Sequence, residues 1–180
     1  MKKEIALFFV LFCGFVFWQF YISRFQYGES SLIGHAAPHF ETTNVRTGAV
    51  LKSQETFGKK AVFVNFWATW CDTCRLEIGS LNTLYKSLDP NQVEFVSFLE
   101  DGVESREELQ VLLEKYHQKL PIEFPVYWDS QQVTADAYGT FKIPESYVID
   151  SQGKVIYRHE GAIMESDLPK ILEKITKSAQ

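Results

Sequence analysis

The stretch FWATWCDTCRLE, residues 66–77, holds two of the chain's three cysteines, Cys71 and Cys74, with two residues between them. It grows out of AVFVNFWA (61–68), an apolar run of β-branched and aromatic residues that suits a parallel strand buried on both faces. Helical spacing follows from about Cys71 to Leu88 and stops at DPN (89–91). Four uses of such a pair compete. A structural zinc site takes four ligands; there is no second C-x-x-C, and His35 and His39, though four apart, have Pro38 between them. A c-type haem needs a histidine directly after the second cysteine, where this chain has Arg75. An inert bridge inside one helical turn constrains little. A reactive pair has a physical logic. The free N–H groups and partial positive charge of a helix amino end stabilise a thiolate on Cys71. Its pKa then falls below the free value of about 8.5. Cys74, one turn on and on nearly the same face, can attack a mixed disulfide formed by Cys71. Cys71 is thus expected to be the exposed nucleophile and Cys74 the shielded resolving thiol.

Working outward, HFETTNV, RTG and AVLKS (39–53) read as a β-hairpin, and QETFGKK (54–60) as a polar connection. VEFVSFLE (93–100) is a second buried strand. SREELQVLLEKYHQ (105–118) has helical spacing, with Ser105 as cap and Glu108 three residues later. FPVYWD (124–129) is a short strand, and SQQVTADAYG (130–139) a short helix closed by Gly139. SYVID (146–150) and VIYRHEG (155–161) are strands joined by the tight turn SQGK, and ESDLPKILEKITKSA (165–179) is a closing helix with Pro169 near its start. Alternating strands and helices followed by an antiparallel pair predict an α/β fold, a mixed sheet flanked by helices.

The amino end differs. Ile5 to Ile22 carries no charge, and Gln19 is its one strongly polar residue. About 20 apolar residues span a bilayer as a helix, and Trp18 and Tyr21 sit near the far end, where interfacial aromatics belong. SRFQYGESS offers no A-x-A-like cleavage site, and the bulky Phe12 before Cys13 argues against a lipoprotein signal. Lys2 and Lys3 precede the span and Arg24 follows it, which places the amino end in the cytoplasm. The expected organisation is a cytoplasmic 1–4, a transmembrane anchor 5–22, a linker 23–34 and an extracytoplasmic (periplasmic) domain 35–180, in a compartment where disulfides persist. Cys13 reads as a small apolar residue of the span. A net charge of −5 with no basic run argues against nucleic acid as a partner.

The ordered motifs resemble a family. NFWATWCDTCRLE, GHAAPHFE (34–41), GKKAVFVNFWATWC (58–71) and YGTFKIPESYVIDSQGKV (138–155) are together similar to the membrane-anchored, TlpA-like branch of the thioredoxin-fold proteins, over nearly all of residues 33–178. The resemblance implies a thioredoxin-like mixed sheet with an N-terminal β-hairpin and no bound cofactor. Members typically reduce protein disulfides outside the cytoplasm, often during cytochrome c maturation, which makes apocytochrome c one candidate substrate. They draw electrons from a membrane thiol transporter. It also implies that the Ile143–Pro144 bond is cis and lies against the cysteines, where backbone groups pair with an extended substrate. Trp70 corresponds to the family's apolar surface beside the thiols, whereas Trp67 reads as core or a substrate-facing wall.

The family usually has Pro before the second cysteine, and this chain has Thr73. Asp72 adds a negative charge beside Cys71, so a less strongly reducing pair is expected. Glu77 falls inside the lower edge of the helical stripe Cys74, Ile78, Leu81, Leu84, Tyr85 and Leu88. Desolvation there raises its pKa and lets it exchange a proton with Cys74; the competing reading is a boundary carboxylate reaching water. Glu145 reads as a solvated loop residue, and His117 and His159 as surface or strand residues without chemistry. Three other functions stay in view. A disulfide-forming oxidase would use the same cysteines in the opposite direction. A copper-delivering module usually carries C-x-x-x-C with a distant His, against the spacing of two here. A peroxide-reducing enzyme would show Pro-x-x-x-Thr-x-x-Cys, and that proline is missing.

Overall fold

The computed structural model describes residues 32–178 together with Phe12, Gly14, Phe15 and Trp18. Apart from those four residues, the expected anchor 5–22 lies outside the described residues, as do residues 23–31 of the expected linker 23–34. Among the described residues no helix is long and apolar enough to cross a membrane.

Strand β1 (Glu41–Asn44) pairs antiparallel with β2 (Val50–Lys52), the expected hairpin. One helical turn, α1 (Ser53–Thr56), stands where the sequence reads as a plain connection. The buried Ser53 hydroxyl holds it in place by accepting from the Phe40 N–H at 2.9 Å. Then follow β3 (Ala61–Trp67), α2 (Asp72–Ser87), β4 (Val93–Leu99), α3 (Arg106–His117), β5 (Val126–Trp128), α4 (Val133–Tyr138), β6 (Glu145–Ile149), β7 (Val155–Glu160) and α5 (Leu168–Ser178). Ser105 caps α3 as expected, its hydroxyl accepting from the Glu108 N–H at 3.2 Å, but the Glu108 carboxylate turns back to the N–H of Glu104 instead of Ser105.

The seven strands form one sheet in the order β2-β1-β5-β4-β3-β6-β7. β3, β4 and β5 run parallel at its centre, and the outer strands pair antiparallel. β3 is buried at all seven positions because both its faces are covered. Phe63, Trp67, Phe95 and Leu99 pack with Ile78 and Leu81 of α2, Leu109 and Leu113 of α3 and Ile171 and Ile175 of α5. Val62, Val64, Phe66, Val96 and Phe98 pack on the other face with Phe40, Tyr138 and Tyr147.

Polar residues inside the strands find partners across this frame, as buried groups must. The Trp67 indole N–H donates to the Ser97 hydroxyl at 2.6 Å. The Asn65 amide donates to Ser146 Oγ at 3.1 Å and to Glu77 Oε1 at 3.0 Å, which ties β3 to β6 and to α2. Trp67 pairs in register with Leu99, and Leu99 with Trp128. The residues that leave the carboxyl ends of β3, β4 and β5 are therefore neighbours, and open α/β sheets place their sites at this edge.

Candidate active site

The chain leaves β3 through Ala68-Thr69-Trp70 and enters α2 at Cys71. The loop is clamped from the next strand: the Thr69 N–H and hydroxyl both donate to the Asp101 carboxylate, at 2.9 and 2.6 Å, and the Glu100 N–H donates to the Trp67 carbonyl at 2.9 Å. Cys71 is the N-cap of α2, in extended backbone conformation, and its sulfur accepts from the Cys74 N–H at 3.1 Å. A sulfur that accepts from the first turn of a helix is where a thiolate gains most from the helix end. The two cysteines are joined in a disulfide, with Cys71 8% exposed and Cys74 wholly buried.

The surroundings divide. Trp70 is 65% exposed and forms an apolar surface before the pair, whereas Trp67 is core. The Ile143–Pro144 peptide is cis, as the resemblance implied, and the Ile143 carbonyl oxygen lies 3.8 Å from Cys71 Sγ. The Pro144 carbonyl accepts from the Gly161 N–H at 2.9 Å and so belongs to the sheet. The Asp72 carboxylate points to water and meets Arg75 at 3.4 Å, so the charge expected to oppose a Cys71 thiolate has a cation beside it. Among the described residues no group of three His, Cys, Asp or Glu side chains is arranged to hold a metal ion.

Glu77 does not reach water. It is 0% exposed, Oε1 accepts from Asn65 and Oε2 accepts from the Ile163 N–H at 3.0 Å. The boundary reading fails because Ile163, in the segment leading to α5, closes over the helix edge that the periodicity leaves open. Burial pushes the Glu77 carboxyl up to about 7, while its two hydrogen bonds hold it lower than burial alone would. It stands one turn beyond Cys74 on α2.

Two carboxylates near this edge contradict or escape the sequence reading. Glu145 is not a solvated loop residue. It is the first residue of β6, is 1% exposed, pairs with the Arg158 guanidinium of β7 and accepts from the Tyr147 hydroxyl at 2.8 Å. The alternation of β6 explains this: Ser146 faces Asn65, so Glu145 and Tyr147 face the opposite, equally covered side. Glu100, one residue past β4, is 7% exposed, and its Oε1 has no hydrogen-bond partner among the described residues. Burial, and then the charges of Asp129, Asp136 and Glu145, push its carboxyl up to about 8. The buried Asp129 carboxylate accepts from the Thr134 and Ala135 N–H groups at 2.9 and 2.8 Å and anchors α4. The strand pattern shows Glu100 at the end of a buried run, but not the acids that strand order brings beside it.

A wholly buried sulfur, a nearly buried sulfur at a helix head and, against it, the Ile143 carbonyl of a cis Ile–Pro bond make a site for exchanging disulfides. Comparison with known proteins agrees. The sequence model of the AhpC/TSA family matches residues 33–158. The chain is 32% identical over 180 residues to thiol-disulfide oxidoreductase ResA of Bacillus thuringiensis subsp. konkukian, covering 98% of this chain and 99% of that one. It is 30% identical over 174 residues to ResA of Bacillus subtilis, covering 92% and 91%. Among solved structures, a Chlorobium tepidum protein assigned as thiol:disulfide interchange protein DsbE superposes with a TM-score of 0.68 at 27% identity, over 82% of this chain and 98% of that one. The chain belongs to the AhpC/TSA family of thioredoxin-fold proteins and is a thiol-disulfide oxidoreductase of the ResA type.

Proposed function

We propose that this oxidoreductase works as a reductant of protein disulfides, tethered by residues 5–22 to the outer face of the cytoplasmic membrane. In the reduced protein, the Cys71 thiolate attacks one sulfur of a substrate disulfide. That bond breaks, the second substrate sulfur leaves as a thiolate and takes a proton, and a mixed disulfide remains. Cys74 then loses its proton and attacks Cys71 Sγ, which frees the other substrate thiol and forms the Cys71–Cys74 disulfide. Two electrons have passed from the pair to the substrate, and a membrane thiol-electron transporter returns them. Glu77 takes the Cys74 proton: it is a buried base one turn away, poised near neutral pH, in a place water does not reach. Trp70, Ile143 and Pro144 form the substrate-facing surface, and apocytochrome c is a candidate substrate. Tethering raises the effective concentration of the membrane partner.

The observation that carries this reading is the asymmetry of the pair, with Cys71 capping α2 beside the Ile143 carbonyl and Cys74 enclosed beneath it. Trapping tests it. The full chain carrying Cys74→Ser should accumulate mixed disulfides with substrate proteins in the membrane fraction. Adducts no more abundant than with Cys71→Ser and Cys74→Ser combined would reject it. Direction of electron flow is tested separately, by titrating the pair against glutathione. With Asp72 and Thr73 between the cysteines, we expect a potential above that of a Pro-containing relative; a potential at or below thioredoxin's would contradict this.

A further inference from the structure

A groove of about 520 Å³ opens on the α3 side of the cysteines, and the exchange chemistry does not use it. Thr69, two residues before Cys71, and Arg75, directly after Cys74, form its near wall. Tyr116, Leu112 and Leu120 give it an apolar floor, and Lys115 and Lys119 stand on its far rim. Its volume lies within the ~300–1,000 Å³ of ordinary ligand sites.

Three observations point to an anionic occupant. The first is charge. Three cations border the groove in a chain of net charge −5. Arg75 meets a single carboxylate, that of the exposed Asp72, and Lys115 and Lys119 have no ion pair among the described residues. The second is position. Lysines at the end of α3 suit that helix's dipole, but Arg75 stands in the first turns of α2, where a cation opposes the dipole. Its i,i+3 pair with Asp72 offsets that cost only in part, and its guanidinium also lines the groove. The third is Tyr116. It is nine-tenths buried against Trp67, and the Arg75 guanidinium lies 5.9 Å from its ring centre and interacts with its hydroxyl. Arg75 can only donate, so the hydroxyl proton has no acceptor among the described residues, and an incoming carboxylate would supply one.

The geometry points to a docking groove for an acidic segment of the substrate polypeptide, one that carries Asp or Glu with an apolar side chain close to the disulfide being attacked. The groove begins beside the reacting sulfurs, so a peptide bonded to Cys71 reaches it without a long span. This deepens the reading of Cys71 as the attacking thiol and depends on it. The groove selects the substrate and takes no part in the sulfur chemistry.

The test uses the full chain, reduced and held in detergent micelles, with peptides containing one intramolecular disulfide flanked by Glu and Leu, or by Gln and Leu. At low salt the Glu peptide should be reduced with roughly tenfold higher kcat/KM, since each of several exposed ion pairs contributes a factor of about two to five. The preference should shrink toward unity at ~1 M salt, where the screening length falls to about 3 Å. Lys115→Glu with Lys119→Glu should abolish or invert it, read as the ratio of kcat/KM for the two peptides. If the double variant loses folded structure, the salt series on the unaltered chain and a Lys115→Gln, Lys119→Gln pair decide. Equal kcat/KM for the two peptides at low salt would overturn the inference. So would a preference that survives the substitutions, or an equal loss with glutathione disulfide, which would mark a site for small thiols. Failure to reduce either peptide would instead count against the proposed function.

Discussion

Replacing Glu100 by Gln should stabilise the protein, by an amount that grows with pH. In the fold this carboxyl lies among Asp129, Asp136 and Glu145 with one oxygen unpartnered, and its pKa stands at about 8 against an ordinary 4.5. Between those values the folded chain keeps a proton that the unfolded chain has released. Stability then falls as pH rises through this window, and the loss is complete above about 8. A displacement of that size corresponds to at most ~5 kcal/mol. Glu100 sits at the sheet edge, where solvent and relaxation soften the repulsion, so ~2–3 kcal/mol is the working figure. Gln has nearly the same shape and never ionises. Urea unfolding of the oxidised full chain from pH 4.5 to pH 9 measures the difference. We expect the variant to equal the parent within ~0.5 kcal/mol at pH 4.5 and to exceed it by ~2–3 kcal/mol at pH 9. A gain that does not change with pH, or a loss throughout, would refute the desolvation account.

Other residues give equally direct checks. Glu77→Gln should remove an inflection near pH 7 from the pH profile of the Cys74 step, followed by stopped-flow decay of a mixed disulfide; an unchanged profile would discard the proton transfer. Arg158→Met should leave the Glu145 carboxylate buried and unpaired, at a cost of about 3 kcal/mol in urea unfolding, and adding Glu145→Gln should recover most of it. Asp101→Ala should release both bonds from Thr69, destabilise the fold by roughly 2 kcal/mol and slow disulfide reduction, because the loop before Cys71 loses its clamp.

What could be read in advance was local. The runs at Ala61–Trp67 and Val93–Leu99 announce central strands because burial on both faces leaves no polar alternation to confuse them. Cys71 and Cys74 announce themselves because three residues along a helix make nearly one turn, and Pro144 because several motifs arrive in order. What escaped depends on strand order. Glu100, Asp129 and Glu145 are far apart along the chain and meet only because β4 lies between β3 and β5, and β3 beside β6. Asn65 and Ile163 enclose Glu77 from β3 and from the segment before α5, and neither partner can be read from the period of α2. The cationic groove is likewise assembled from the head of α2 and the tail of α3.

Enclosure of Cys74 leaves one sulfur of the pair within reach of another molecule, that of Cys71, which is 8% exposed. Whatever gives electrons to this protein and whatever takes them must therefore visit the same atom, one after the other. Turnover should follow ping-pong kinetics, with parallel double-reciprocal lines, and each visitor in excess should act as a competitive brake on the other.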